Sequence, residues 1–408
     1  MSPNRSYSRR RLLQDTVCYA ATTAALRAGA LPQRRLESAV EQNKVEFSQI
    51  HGRAEQDEKA SEPFLNPENR LGYAIVGLGR LSLNQIMPAF GECRLSRPAA
   101  LVSGDRAKAL KVAKQYGIPE TSIYDYHNYE QLATNDAVQA LYIVLPNGMH
   151  EEYVLRGAKT GKHILCEKPM ATSSSEARRM MNACMLAKVK LMIAYRQQYE
   201  PNNLALRRLV SDGKLGRLRG FLASNSQQQG DPKQWRLNKA LAGGGCLPDV
   251  GLYCINAARF HSNEEPVRVA AQLWQPKEDP RFREVEASVS FSMHFPSGYV
   301  ATCTTSYDVH KSQTLRLEGT DAWADMNPAF AYSGNKLRWS GLDGDDEVLF
   351  EPRIEEKNQF SLEIDHFSEC ILGNNTPQTP GEEGLRDHLI MEAIYRAAST
   401  GRAIDLPV

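Results

Sequence analysis

The sequence lacks any apolar run long enough to span a bilayer, so no stable membrane anchor is expected. It also lacks an excess of one charge: 49 Lys and Arg stand against 48 Asp and Glu, a formal net charge of +1. Nucleic-acid binding needs a basic face, so this balance argues against such a partner. Metal-ligand spacing is missing too. The eight cysteines (Cys18, Cys93, Cys166, Cys184, Cys246, Cys254, Cys303 and Cys370) form no CxxC pair and no Cys/His ligand pattern, and several lie in apolar runs. Buried thiols follow, with neither a disulfide framework nor a zinc site. What the chain does have is 408 residues, 42% of them hydrophobic. That is enough for two domains with sizeable cores, plus tails.

Residues 1–37 hold Arg5, Arg9, Arg10, Arg11, Arg27, Arg34 and Arg35 against only Asp15 and Glu37. Ser8-Arg9-Arg10-Arg11-Leu12-Leu13 resembles the twin-arginine export signal. Val17 to Leu31 is Ala/Thr-rich and mildly apolar, and Ala28-Gly29-Ala30 offers a passable cleavage site. The expectation is export by the twin-arginine machinery to the periplasm or beyond. The alternative is a disordered basic tail on a cytoplasmic protein. Residues 38–70 are polar and charged with little periodicity, which reads as an extended arm or linker.

From residue 71 short apolar runs alternate with helical patterns. Leu71–Val76 reads as a strand and runs straight into Gly77-Leu78-Gly79-Arg80-Leu81-Ser82. The first glycine permits a tight turn, the second lets the backbone approach a pyrophosphate, and Ser82 is small enough for close helix–strand packing. The helix that follows presents free N–H groups and a positive dipole end to phosphates. Residues 99–103, 140–145, 163–166 and 190–195 read as further strands. Helical patterns over 107–116 and 151–159, and from a Ser173–Glu176 capping box to about Lys188, fall between them. This alternation predicts a doubly wound parallel α/β sheet, a Rossmann-type nucleotide-binding domain over 71–195.

Open α/β sheets bind ligands beyond the carboxyl ends of their strands. After the second strand come Ser103, Gly104, Asp105, Arg106 and Lys108. A serine where an NAD enzyme usually places an acid, with Arg106 and Lys108 close behind, points to a 2′-phosphate and therefore NADP. Asp105 is the feature favouring NAD. At a later strand end, Pro146 stops the strand after Leu145, and Asn147 is placed to cap the next helix. His150 then falls in the first helical turn, as a cofactor contact. Cys166-Glu167-Lys168-Pro169 ends another strand and aims the Lys168 cation toward where a nicotinamide would lie.

These motifs, followed by Gly243-Gly244-Gly245 and Asp249-Val250-Gly251-Leu252-Tyr253, resemble the Gfo/Idh/MocA oxidoreductases. The resemblance runs from Leu71 to about Arg402 and includes Tyr124-Asp125-Tyr126, Tyr195-Arg196 and Gln234-Trp235-Arg236. Many relatives carry histidine where this chain has Tyr253, and aspartate where it has Asn256. The tyrosine form is typical of the branch of aldose–aldose oxidoreductases that includes the glucose–fructose enzymes. The resemblance implies a second α/β domain, here 196–408, with a large open, mostly antiparallel sheet, and a homodimer or homotetramer packed through it. It also implies cofactor contacts by Gly77, Leu78, Gly79, Arg80, Leu81, Tyr126, Glu167, Arg196, Trp235 and Arg236, and a sugar pocket touched by Tyr332 and Arg196. The sequence supports the second domain independently. Ala287, Val289, Phe291, Met293 and Phe295 alternate with Glu286, Ser288, Ser290, Ser292 and His294, the pattern of an antiparallel strand with one buried face. Strands are also expected over 267–273, 300–307 and 315–318.

The chemistry expected is oxidation of a sugar at C1. Tyr253 is the expected base, because a phenol of ordinary pKa near ~10 needs a neighbouring cation to work near neutrality. Lys168 supplies that cation. Asp249, one helical turn before Tyr253, orients the sugar or holds Lys168. Export adds a constraint, since outside the cytoplasm there is no nicotinamide pool to exchange with. A tightly bound NADP(H) that oxidises an aldose such as glucose and then reduces a second sugar such as fructose meets it. An NADP-dependent aldose dehydrogenase with exchangeable cofactor is the alternative. A nicotinamide-dependent glycosidase and a non-catalytic sugar-binding protein are the rivals from other classes.

Overall fold

The computed structural model describes residues 70–407. The expected export signal, its cleavage site and the arm lie outside the described residues, apart from the last residue of the arm. Six strands, β1 (Leu71–Val76), β2 (Ser96–Val102), β3 (Ile123–Tyr124), β4 (Ala140–Ile143), β5 (His163–Glu167) and β6 (Leu191–Ala194), pair in parallel in the order β3-β2-β1-β4-β5-β6. Every residue of β1 and β4 is buried, as expected for a parallel sheet covered on both faces. This is the doubly wound Rossmann arrangement, and its order reverses between β1 and β4, where a crevice must open.

Local chemistry accounts for where several elements begin and end. The helix after β2 spans Arg106–Tyr116, and Asp105 caps it by accepting from the Lys108 N–H at 2.9 Å. The helix after β4 begins at Asn147, four residues earlier than expected. Asn147 therefore lies inside the first turn and does not cap it; its side-chain amide donates to the Ala242 carbonyl at 2.8 Å. Ser173 does cap the helix Ser174–Ala187, and the Glu176 carboxylate accepts from the Thr172 N–H at 2.8 Å.

The second sheet contains β7 (Leu218–Ser226), β8 (Arg268–Trp274), β9 (Ser288–His294), β10 (Val300–Ser306), β11 (Ser312–Gly319), β12 (Trp323–Met326), β13 (Leu337–Asp343), β14 (Asp346–Phe350) and β15 (Ile404–Asp405). Its order is β14-β13-β12-β11-β7-β10-β9-β8-β15, and of the pairings only β7 with β10 is parallel. In β9 the alternation holds: Val289, Phe291 and Met293 are buried, and Ser290 and His294 are exposed. Glu286, read as a member of the polar face, precedes the strand and is buried. Its carboxylate accepts from the Gly245 and Leu247 N–H groups at 2.8 and 2.9 Å and from the Tyr395 hydroxyl at 2.9 Å. The last long elements of the chain are the helices Gln359–Leu372 and Gly381–Thr400.

Candidate active site

The carboxyl ends of the parallel strands and one face of the second sheet enclose a cleft of about 1510 Å³. At its nucleotide end, Gly77 has φ +99, and a Cβ there would meet the Val144 carbonyl oxygen at 2.4 Å. Only glycine takes that conformation against that wall without strain. A Cβ at Gly79 would meet nothing within 4 Å, so its backbone faces open space. Ser82 is buried and ties the turn shut by donating to the Gly77 carbonyl at 2.6 Å. From Ser82 the backbone is helical, through Ile86 as a π-helix and Met87–Ala89 as α-helix. A glycine edge open to space at a helix start suits a dinucleotide pyrophosphate.

Gly77, Leu78, Gly79, Arg80, Leu81, Ser103, Lys108, Tyr126, Leu145, Pro146 and Asn147 all line this cleft. Two expected contacts do not. Arg106 is exposed and does not line it. His150 is fully buried, with Nε2 at 2.8 Å from the Leu145 carbonyl and Nδ1 at 3.0 Å from the Pro169 carbonyl. Its ring joins two strand ends from behind the cleft wall. Burial is the main force on it, and holds its pKa below the usual imidazole value. Asp105, the residue that favoured NAD, spends its carboxylate on the helix cap described above, and its N–H bonds the Ser103 hydroxyl at 3.1 Å.

At the other end the catalytic candidates converge. Lys168 follows β5 directly, and Asp249 lies in a π-helical turn, Leu247–Gly251, that runs into the helix Leu252–Ser262 bearing Tyr253. The Lys168 ammonium donates to the Asp249 carbonyl at 2.8 Å and reaches its carboxylate at 3.3 Å. It sits 4.5 Å from the centroid of the Tyr253 ring. Arg196 approaches the same ring at 4.9 Å and the Tyr332 ring at 4.3 Å, while donating to the Phe330 carbonyl and to Gln359 Oε1 at 3.0 and 2.6 Å. Two cations thus flank one phenol.

Electrostatics keeps these cations charged. Burial alone pushes Lys168 down, but Tyr253, Asp249 and Glu167 outweigh it and the ammonium titrates above its ordinary value. Burial also opposes ionisation of Asp249. Lys168, Arg236 and the Tyr307 hydroxyl overcome that and hold the carboxyl at about 2. Its acceptor positions are taken by Lys168, by Arg236 Nε at 3.2 Å and by the Tyr307 hydroxyl at 2.6 Å. Asp249 therefore holds Lys168, the second of the two roles expected for it. Glu167 lines the cleft, accepts from the Tyr142 hydroxyl at 2.8 Å, and is raised mainly by burial. Trp235, Arg236 and Tyr332 line the cleft as well.

The sequence reading missed Tyr307, although it lies at the end of an expected strand. It also missed Asn225, Gln227 and Gln313, which bring amides from β7, the residue after it, and β11 to the cleft. Their signal is only a polar residue at or just past a strand end. It becomes visible once the sheet order is known.

The family described as an oxidoreductase family with an NAD-binding Rossmann fold matches residues 71–195, and the GFO/IDH/MocA C-terminal domain matches residues 203–325. The chain is 33% identical over 345 residues to a D-xylose 1-dehydrogenase (NADP(+)) of Haloarcula marismortui, covering 83% of this chain and 94% of that protein. It is 30% identical to a D-xylose 1-dehydrogenase (NADP(+)) of Haloferax volcanii, covering 82% and 99%. Among solved structures, the aldose-aldose oxidoreductase from Caulobacter crescentus, crystallised with glycerol, is 44% identical. It superposes with a TM-score of 0.80 over 83% of this chain and 100% of that one.

Proposed function

The chain belongs to the Gfo/Idh/MocA oxidoreductase family as a nicotinamide-dependent sugar oxidoreductase, and we propose that it oxidises an aldose at C1 and reduces a second sugar on the same tightly held NADP(H). The observation that carries this reading is the Lys168–Asp249–Tyr253 constellation at the strand ends, facing a cleft large enough for cofactor and sugar together. NADP is supported by the commitment of Asp105 to a helix cap, by Lys108 in the first turn of the helix after β2, where it lines the cleft, and by the cofactor named for the xylose dehydrogenases. The pairing of two sugars is supported by the 44% identity to an aldose-aldose oxidoreductase.

Gly77, Gly79, Ser103, Lys108 and Tyr126 would hold a nicotinamide dinucleotide in the cleft, and it would supply the hydride acceptor and donor for the two half-reactions. The protein's own part is proton management and orientation. Tyr253 takes the C1 hydroxyl proton. Lys168, anchored by Asp249, supplies positive charge over the ring and stabilises the phenolate that does this. Arg196 packs against both the Tyr253 and Tyr332 rings and holds them in place. Asn225, Gln227 and Gln313 offer amides to sugar hydroxyls. The leader-like segment at Ser8–Leu13 supports export by the twin-arginine route, where a retained cofactor is an advantage.

The xylose dehydrogenase relatives favour a second reading, a dehydrogenase that exchanges NADP with solution. Protein purified without added nucleotide separates the two. Near-ultraviolet nicotinamide absorbance that rises with glucose and falls with fructose is expected. Absence of copurifying nucleotide, with activity only on added NADP, would replace the two-sugar cycle by the exchanging dehydrogenase.

A further inference from the structure

A buried clamp of side chains joins the helix that bears Tyr253 to the turn that bears Arg196. Asn256 lies three residues after Tyr253 in the helix Leu252–Ser262, the spacing of surface neighbours. Gln198 lies two residues after Arg196 in the 3₁₀ turn Arg196–Gln198. Gln198 Nε2 donates to Asn256 Oδ1 at 2.9 Å, and both side chains are buried.

The orientation of this pair is set from behind. Asn256 Nδ2 donates to Glu383 Oε1 at 2.9 Å and to Asp387 Oδ2 at 3.1 Å, both on the helix Gly381–Thr400. The reverse orientation would set the Asn256 oxygen against two acceptors, so these carboxyl groups fix which way the amide points. Its oxygen is thereby turned to Gln198. The Gln198 amide also reaches Glu383 Oε1 at 3.1 Å, and its own oxygen accepts from Gln378 Nε2 at 3.2 Å. Orientation thus passes from the acidic pair, through two amides, to the Arg196 turn. Arg259, three residues beyond Asn256, pairs with Asp387 at 2.6 Å and with Glu383 at 2.9 Å. Among the described residues it is the one cation paired with either.

We propose that Asn256 is a positioning residue for the reaction, fixing the Tyr253 helix against the Arg196 turn so that phenol and guanidinium keep their separation at the cleft. The proposal rests on Tyr253 acting as the base. Arg196 stands 4.9 Å from the Tyr253 ring and is held elsewhere by the Phe330 carbonyl and Gln359. The clamp constrains the other partner, the helix. Its position needs a short side chain with two donors and an acceptor, which asparagine provides. Aspartate brings no donor to the acidic pair and sets three carboxyl groups around one guanidinium. Burial already lifts Asp387 to about 7 against the pull of Arg259, so the pair has little room for more negative charge.

The test compares the native enzyme, supplied with NADP and glucose, with Asn256→Asp, with Gln198→Met, and with the exchange Asn256→Asp plus Glu383→Gln. Stopped-flow nicotinamide absorbance gives the reduction rate, and NADPH fluorescence titration counts competent sites. Asn256→Asp and Gln198→Met are each expected to slow reduction about tenfold per competent site, with an unchanged glucose KM. The exchange is expected to recover most of that rate, because it moves an amide and a carboxyl group without changing the number of either. A merely structural asparagine would lower the number of competent sites and leave the rate at each one native. That result, or an exchange as slow as Asn256→Asp alone, would overturn the proposal. Should Asn256→Asp fail to fold, Gln198→Met decides, since it cuts the clamp and leaves the acidic pair with Arg259: a slowed rate per site supports the proposal and a native one overturns it. No nucleotide reduction by the native enzyme with any aldose would instead overturn the sugar-oxidation reading, and the positioning role with it.

Discussion

Tyr253 and Asp249 share one cation, yet their loss should have different signatures. Replacing Tyr253 with Phe keeps the ring that Lys168 and Arg196 pack against and removes only the hydroxyl. Turnover is expected to fall by roughly 10²–10⁴ with nucleotide affinity unchanged, as read by steady-state rates beside a fluorescence titration of NADPH. Unchanged turnover would remove Tyr253 as the base. Asp249 acts on the fold as well as the site. Its native carboxyl sits at about 2 against an ordinary value of 3.8, so ionisation favours the native state. That contribution is complete above about pH 4 and is lost as the pH falls toward 2, roughly 2 kcal/mol in all. Asp249→Asn should therefore be less stable than native at pH 6, and the gap should narrow with acid in urea titrations. A gap independent of pH would mean that the carboxylate's charge is not what matters. Lys168, Asp249 and Tyr253 were legible because each stands in a short motif. Tyr307 was not, because it reaches Asp249 across 58 residues of chain. For His150 the position was legible but not the role: sequence places it near the cofactor, and packing turns its ring inward.

Among the elements, the turn that leads to Asp249 depends on Glu286 and on the close-packed glycines Gly244 and Gly245. A Cβ on Gly244 would lie 2.1 Å from the Tyr395 hydroxyl, and one on Gly245 2.1 Å from the Glu286 carbonyl oxygen. Close packing thus requires glycine at both positions. Gly245→Ala must displace backbone, and a loss of about 3 kcal/mol is expected. Glu286→Gln keeps the shape but loses one acceptor for the Gly245 and Leu247 N–H pair, at a cost of about 1–3 kcal/mol. Both are read from denaturation midpoints, and a midpoint within error of native for either would refute this account of the turn. Period-two alternation misassigned Glu286 because the pattern continues two residues beyond the strand, into a segment whose partners are backbone groups from another part of the chain. Asn147 was misread for a similar reason: its side-chain amide is engaged by the Ala242 carbonyl, from a distant part of the chain, rather than by its own helix end.

At the scale of the molecule, the strand–helix alternation made the nucleotide-binding sheet readable, and the order of the strands then placed the cleft at the β1/β4 reversal. What alternation could not reveal is that the helix Gln359–Leu372, far along the chain, completes that first core. Phe360, Ile364 and Phe367 are buried with Tyr73, Ile75 and Phe90 of the nucleotide half. The Tyr73 hydroxyl lies 2.8 Å from Ser368 Oγ, and Asp365 accepts from the Arg94 N–H at 2.6 Å. A stretch this distant carries no local signal of the sheet it covers, since its apolar face fits any partner. The first domain is therefore built from two separated pieces of chain. A fragment of residues 70–200 alone is expected to melt without a cooperative transition by circular dichroism and to bind the dye ANS through its uncovered core. Joining residues 356–374 to it through a flexible linker should restore both a cooperative melt and NADP binding. If the bare fragment already melts cooperatively and binds NADP, the helix is only an external brace. In the intact chain, Phe367→Ala should then cost far less than the ~3–5 kcal/mol expected of a core phenylalanine.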